Sequence, residues 1–271
     1  MNRRNFVALV TGAALPLKNT LMDDTRTPRQ QWYELRTYTF ADATQRELTS
    51  GYLEKALIPA LNRAGCAHVG VFSEHPAQPA AQTPPASPES GVAKTFLLIP
   101  FESIEALAAL SGKLARDSAY TTAAGPYLDA PATAPAYQRI ESSLLKAFAH
   151  MPAMEIPEKK SRLFELRRYE SPTEAAGQKK IEMFNDAGEI DIFKKVGARP
   201  VFFGETLIGQ YRPNLTYMLT FDDMADHDAR WKAFGSDPDW KTVSKKPEYS
   251  DARLISKITR TFLTPASYSQ V

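Results

Sequence analysis

Trp32-Tyr33-Glu34-Leu35-Arg36-Thr37-Tyr38 is answered, about 130 residues further on, by Leu163-Phe164-Glu165-Leu166-Arg167-Arg168-Tyr169. Both stretches read aromatic or apolar residues, then Glu, Leu, Arg, one variable residue and Tyr. Solenoid repeats recur every roughly 20 to 50 residues, so a period this long indicates a duplicated domain. Successive side chains of a strand alternate between its two faces. Tyr33, Leu35 and Thr37 therefore share one face of the first copy, and Glu34, Arg36 and Tyr38 share the other. In the second copy Phe164, Leu166 and Arg168 oppose Glu165, Arg167 and Tyr169. A face that repeats Glu, Arg and Tyr is either solvated, with Glu and Arg paired to strand neighbours, or lines an enclosed polar space.

Downstream of the first copy, apolar residues recur at helical spacing over 43–64, with Gly65 as a stop and Pro59 as a kink. Residues 66–73 read as a strand, 75–91 as a Pro-rich surface loop, and 94–101 as a strongly apolar strand. A helix is expected over 103–120, a Pro- and Ala-rich connector over 121–137, and a closing strand over 138–148. After the second copy come a helical run at 173–196 stopped by Gly197, strands at 199–205 and 215–221, a helix at 224–234 and a strand at 254–262. Each half thus reads strand, helix, strand, strand, helix, strand, the ferredoxin-like order. The expected fold class is α+β: two tandem βαββαβ units, 32–148 and 163–264, joined by a linker at 149–162. A unit of this kind has one open sheet face, and two units can bury those faces against each other, giving an intrachain dimeric α/β-barrel.

These residues resemble the NIPSNAP family. Glu34-Leu35-Arg36-x-Tyr38 and Glu165-Leu166-Arg167-x-Tyr169 are similar to its first strand, and the stretch from Gly204 through Gly209 to Asn214 to its β-hairpin. Ala229-Arg230-Trp231-Lys232-Ala233-Phe234 followed by Asp237-Pro238-Asp239-Trp240 is the most specific similarity, and 115–120 is a worn version of it in which Tyr120 stands where Trp240 does. The resemblance implies the dimeric α/β-barrel superfamily, which includes haem-binding proteins, small monooxygenases and proteins without known activity. It brings no established reaction.

The chain has 271 residues, 43% hydrophobic and 24% charged, enough to bury a core in each half. Its 33 basic and 31 acidic residues are mixed along the sequence, for a net charge of +2. No field of one sign suggests nucleic acid or an anionic membrane as partner. Arg3-Arg4-Asn5-Phe6 before a short, weakly apolar run resembles a twin-arginine export signal over 1–22, followed by a tether at 23–31. It departs from that pattern at Ala8, where a basic residue is usual. The expected location is the periplasm or outside the cell, with a cytoplasmic chain as the alternative. The run is too short to span a bilayer. Cys66, the one cysteine, excludes an intrachain disulfide.

The candidate ligand-binding residues are Glu34, Arg36, Tyr38, Glu165, Arg167 and Tyr169, as the wall of a cavity between the two sheets, with His68 on the second strand. Arg could hold a carboxylate or phenolate through a forked hydrogen bond, and Tyr could orient or protonate it. His227 lies on a helix beside Asp226 and Asp228 and is expected to be solvated; none of the four histidines has metal-ligand spacing. No metal and no cofactor is expected. Three functions remain open: a binding protein holding a small, partly apolar ligand, a cofactor-independent monooxygenase or isomerase, and a structural or interaction module with a filled barrel. A lumen without a cavity of roughly 300 Å³ would favour the last.

Overall fold

The computed structural model describes residues 29–78 and 93–271. The expected export signal at 1–22, most of the tether, and most of the Pro-rich loop lie outside the described residues. Among the described residues, eight strands form one closed antiparallel barrel. They are β1 (Trp32–Thr39), β2 (Gly70–Glu74), β3 (Lys94–Phe101), β4 (Arg139–Ala147), β5 (Leu163–Glu170), β6 (Arg199–Ile208), β7 (Asn214–Phe221) and β8 (Lys257–Pro265). Around the barrel the order is β1-β3-β2-β8-β5-β7-β6-β4. Exchanging β1 to β4 with β5 to β8 returns the same order. Two seams, β2 with β8 and β4 with β6, join them. Closure leaves no free sheet edge.

The helices lie outside the barrel. In the first half α1 (Ala43–Tyr52) passes through a π-helical turn, Leu53–Leu57, into α2 (Ile58–Arg63). Pro59 sits in the first turn of α2, where its missing N–H is least costly. The kink expected at Pro59 thus takes the form of a widened turn just before it. The helix expected over 103–120 is two, α3 (Ile104–Arg116) and α4 (Ser118–Leu128), because the Asp117 carboxylate accepts from Tyr120 N and restarts the helix. α4 runs through Pro126, so part of the expected connector is helical.

The second half repeats this plan. α5 (Glu174–Asn185) and α6 (Glu189–Lys195) are separated at Gly188, whose φ of 85° only glycine adopts freely. α7 (Met224–Ser236) is followed by α8 (Pro238–Ser244), capped by Asp237 as α4 is by Asp117, and then by α9 (Asp251–Leu254). No helix among the described residues is long and apolar enough to cross a membrane.

Three apolar layers result. The lumen is packed by Tyr33, Phe72, Leu98, Leu145, Phe164, Phe202, Met218 and Leu263. Tyr38, Leu97, Ile99 and Phe101 face the first set of helices, and Tyr169, Tyr217, Leu219 and Phe221 face the second.

Candidate functional site

The repeated Glu-Arg-Tyr face points away from the lumen. The expectation that it lines a cavity between the sheets is therefore corrected. The face lies under the helices, and it is the opposite face, with Tyr33, Leu35, Thr37, Phe164, Leu166 and Arg168, that turns inward. Both faces of these strands are covered, as in any barrel wrapped by helices, so polarity alone does not mark the outer one.

In the second half the outward face is a sealed polar network. Glu165 has no exposed surface, and Arg167 and Tyr169 are buried. Arg167 Nη1 donates to Glu165 Oε1 at 3.0 Å and Nη2 to the Tyr169 hydroxyl at 2.9 Å, which meets the Tyr217 hydroxyl at 2.9 Å. From α7, Trp231 Nε1 donates to Glu165 Oε2 at 2.9 Å, and its ring lies 4.2 Å from the Arg167 guanidinium carbon. His227 is buried, not solvated as expected: its Nε2 is 3.4 Å from Glu165 Oε2, in charge contact but without hydrogen-bond alignment. Its Nδ1 pairs with Asp228 at 2.8 Å. Burial acts to lower the His227 pKa, but Glu165 and Asp228 outweigh it and raise it. Burial acts to raise the Glu165 pKa, and His227, Arg167 and Trp231 together hold it low.

The first-half counterpart is more open. Arg36 Nε and Nη2 fork onto Glu34 at 3.0 and 3.1 Å, Arg36 Nη1 donates to the Tyr38 hydroxyl at 3.1 Å, and Ser142 donates to Glu34 at 2.6 Å. The Arg36 and Glu34 side chains remain 20% and 15% exposed, against 10% and 0% for Arg167 and Glu165. His68 is exposed at a bend with φ 59°, before β2, which begins at Gly70, so it is not on a strand facing a cavity. Cys66 is buried.

A cavity of about 290 Å³ does occupy the lumen, at the end where β1 and β5 finish. Its floor is Leu35, Phe96 and Leu166, and its walls are Thr37, Thr206, Thr216, Thr259 and Thr261 with Arg168. Below it the aromatic pairs Phe72–Phe164 and Tyr33–Phe202, with ring centroids 4.9 and 5.1 Å apart, fill the barrel. Arg168 commits Nε and Nη2 to Glu170 and reaches Thr259 Oγ1 at 3.3 Å, while its Nη1 makes no hydrogen bond among the described residues.

The hairpin between β6 and β7 closes the mouth. Tyr211 lies 4.2 Å over the Arg168 guanidinium, and Gln210 donates to Glu141 of β4 at 2.8 Å. Asn214 holds the turn through Nδ2 bonds to the Gln210 and Tyr211 carbonyls, while accepting from Thr206 and Thr216. None of these lumen residues was a sequence candidate. The signal was present: in both copies the inward face turns from apolar to polar at the same rung, at Thr37 and Arg168.

The fold is that of the dimeric α/β-barrel proteins. Residues 164–270 match the model of the NIPSNAP family. No curated protein sequence matches the chain. Similar solved structures include a provisionally assigned monooxygenase from Fusobacterium nucleatum, with TM-score 0.55 and 7% identity over 88% of this chain and 93% of that one. Another provisional monooxygenase, from Lactobacillus acidophilus, has TM-score 0.56 and 10% identity over 87% and 94%. An uncharacterised NIPSNAP-like domain protein from Burkholderia xenovorans covers 40% of this chain and 88% of its own, with 21% identity and TM-score 0.34. At 7% and 10% identity the likeness to the Fusobacterium and Lactobacillus structures is one of fold.

Proposed function

We infer that this chain binds a small, partly apolar molecule in the mouth of its barrel and that residues 32–148 are a diverged second NIPSNAP unit. The twin-arginine-like segment around Arg3 and Arg4 supports an exported location. One observation carries the binding reading: a lumen packed with aromatic rings along most of its length gives way, at one end, to an apolar-floored, hydroxyl-walled space of about 290 Å³. That volume lies at the lower edge of the roughly 300 to 1,000 Å³ of ligand pockets, so the ligand is small. The threonines offer donors and acceptors, and Arg168 offers a free Nη1 for an electron-rich oxygen. The monooxygenase description belongs to the two structural neighbours and does not extend to a reaction here.

The experiment is mass spectrometry of small molecules released from purified protein, with Thr261→Phe, which fills the cavity, prepared in parallel. A compound enriched in the natural chain and depleted in the variant is expected. Equal recovery from both, or no compound together with no melting shift across a metabolite panel, rejects this reading.

A further inference from the structure

The end of the barrel opposite the mouth carries a second cavity, of about 310 Å³, between the 157–162 segment and the residues after β8. Phe164, Pro157 and Pro265 give it apolar walls, and Lys159, Lys160 and Arg162, with Glu158 beside them, line its other side, where the terminal residue Val271 also lies. Phe164 is shared with the aromatic plug of the lumen, so the two cavities lie on opposite sides of that plug.

The charges at this second cavity do not balance. Arg162 is buried, its side chain only 4% exposed, yet its one short bond is to a neutral acceptor, the Glu158 carbonyl, 2.7 Å from Nε. Its terminal nitrogens sit 3.4 Å from Asp222 and 3.7 Å from the Glu158 carboxylate, both longer than a charged hydrogen bond wants. Asp222 is meanwhile shared among Arg162, Lys160 at 3.2 Å and Arg199 at 3.0 Å. Asp226 is divided between Arg199 and Arg230. Four cations thus draw on three carboxylates, and Lys159 adds a further positive charge to the cavity wall. Burial and the neighbouring Arg199 both act to lower the Arg162 pKa, and its acidic neighbours do not restore it. A buried cation that is under-compensated is costly unless an anion completes its shell.

We propose that this second cavity binds a small monocarboxylate with an apolar body, its oxygens held by Arg162 and Lys160 and its body packed on Phe164, Pro157 and Pro265. The shape of the site selects the class. An inorganic phosphate would satisfy the cations but leave the apolar walls against empty space. A neutral molecule would leave the cations as they are. The volume holds about ten water-sized atoms at roughly 30 Å³ each, which suits an aromatic or short aliphatic acid.

The test is ¹⁹F NMR titration of the full chain with 4-fluorobenzoate, and with 4-fluorobenzamide as the neutral control. Saturable binding of the acid is expected, at least tenfold weaker in Lys160→Gln and abolished in Ser267→Trp, an exposed position from which the indole fills the cavity. Arg162→Gln should also abolish it, and the two exposed variants stand in should that chain not fold. Thr261→Phe, which blocks the barrel mouth, should bind the acid unchanged, which separates this site from the lumen. No binding, equal binding of the amide, or binding lost in Thr261→Phe and kept in Ser267→Trp would overturn the proposal.

Discussion

Trp231 serves two charges of the same ion pair at once: its Nε1–H bonds Glu165 Oε2 at 2.9 Å while its ring lies 4.2 Å from the Arg167 guanidinium carbon. Replacing it by Phe keeps a ring over Arg167 and removes the donor to a carboxylate with no exposed surface. An acceptor left short in this way costs about 1 to 3 kcal/mol. Trp231→Ala also opens a cavity, and its cost rises to about 3 to 5 kcal/mol. Urea unfolding at neutral pH measures both, with Phe expected between the natural chain and Ala.

The two copies of the Glu-Arg pair should differ in energy. Breaking a buried pair by removing one partner costs about 3 to 5 kcal/mol, and Arg167→Met should fall in that range. Arg36→Met removes the same interaction from a pair that retains some contact with water, so it should cost roughly half as much or less. A double-mutant cycle on Glu165 and Arg167, compared with one on Glu34 and Arg36, gives the coupling energies directly. Equal couplings would show that the difference in exposure carries no energetic weight.

The pH dependence follows from His227. Its pKa is raised in the folded chain above the ordinary 6.5, so the stabilisation is fully present below about pH 6 and is lost as pH rises through the elevated value. Glu165 works in the other direction. Its pKa is depressed below the ordinary 4.5, so its contribution is present above that value and is lost on acidification through the folded one. Melting temperature should therefore be greatest in mildly acidic solution and decline towards alkaline pH, and His227→Gln should flatten the alkaline decline.

Gly209 holds the hairpin at the barrel mouth with φ 147°, and a Cβ there would collide with the Ser143 side chain of β4. Gly209→Ala should cost about 1 to 3 kcal/mol through strain and the displaced strand. Tyr211→Ala in the same hairpin removes an exposed cation–π contact worth only about 0.5 to 1 kcal/mol. Its expected effect is faster ligand exchange at nearly unchanged stability, read by stopped-flow release once a ligand is known.

The repeat was legible in the sequence because an aromatic residue, Glu, Leu, Arg and Tyr recur at the same spacing in both stretches, and closure into a barrel followed from the open face each unit would otherwise leave. The sidedness of that pattern was not legible. Alternation separates Leu35 from Arg36 but does not say which of them faces inward, and a barrel covered by helices buries both. The break at Asp117, inside the helix expected over 103–120, was not legible either, because a carboxylate that caps the following helix looks no different in sequence from one on a helix surface. His227 between two acidic residues looked solvated because its partner, Glu165, is 62 positions away and reaches it only through folding.

The seams between β2 and β8 and between β4 and β6 make each half the covering for the other's edges. Tethering two such halves on one chain fixes their meeting at any dilution and removes the requirement that they stay identical. One half is free to be shut tight around Glu165 while the other keeps its Arg36 within reach of water, an asymmetry that two copies of a single shorter chain could not hold.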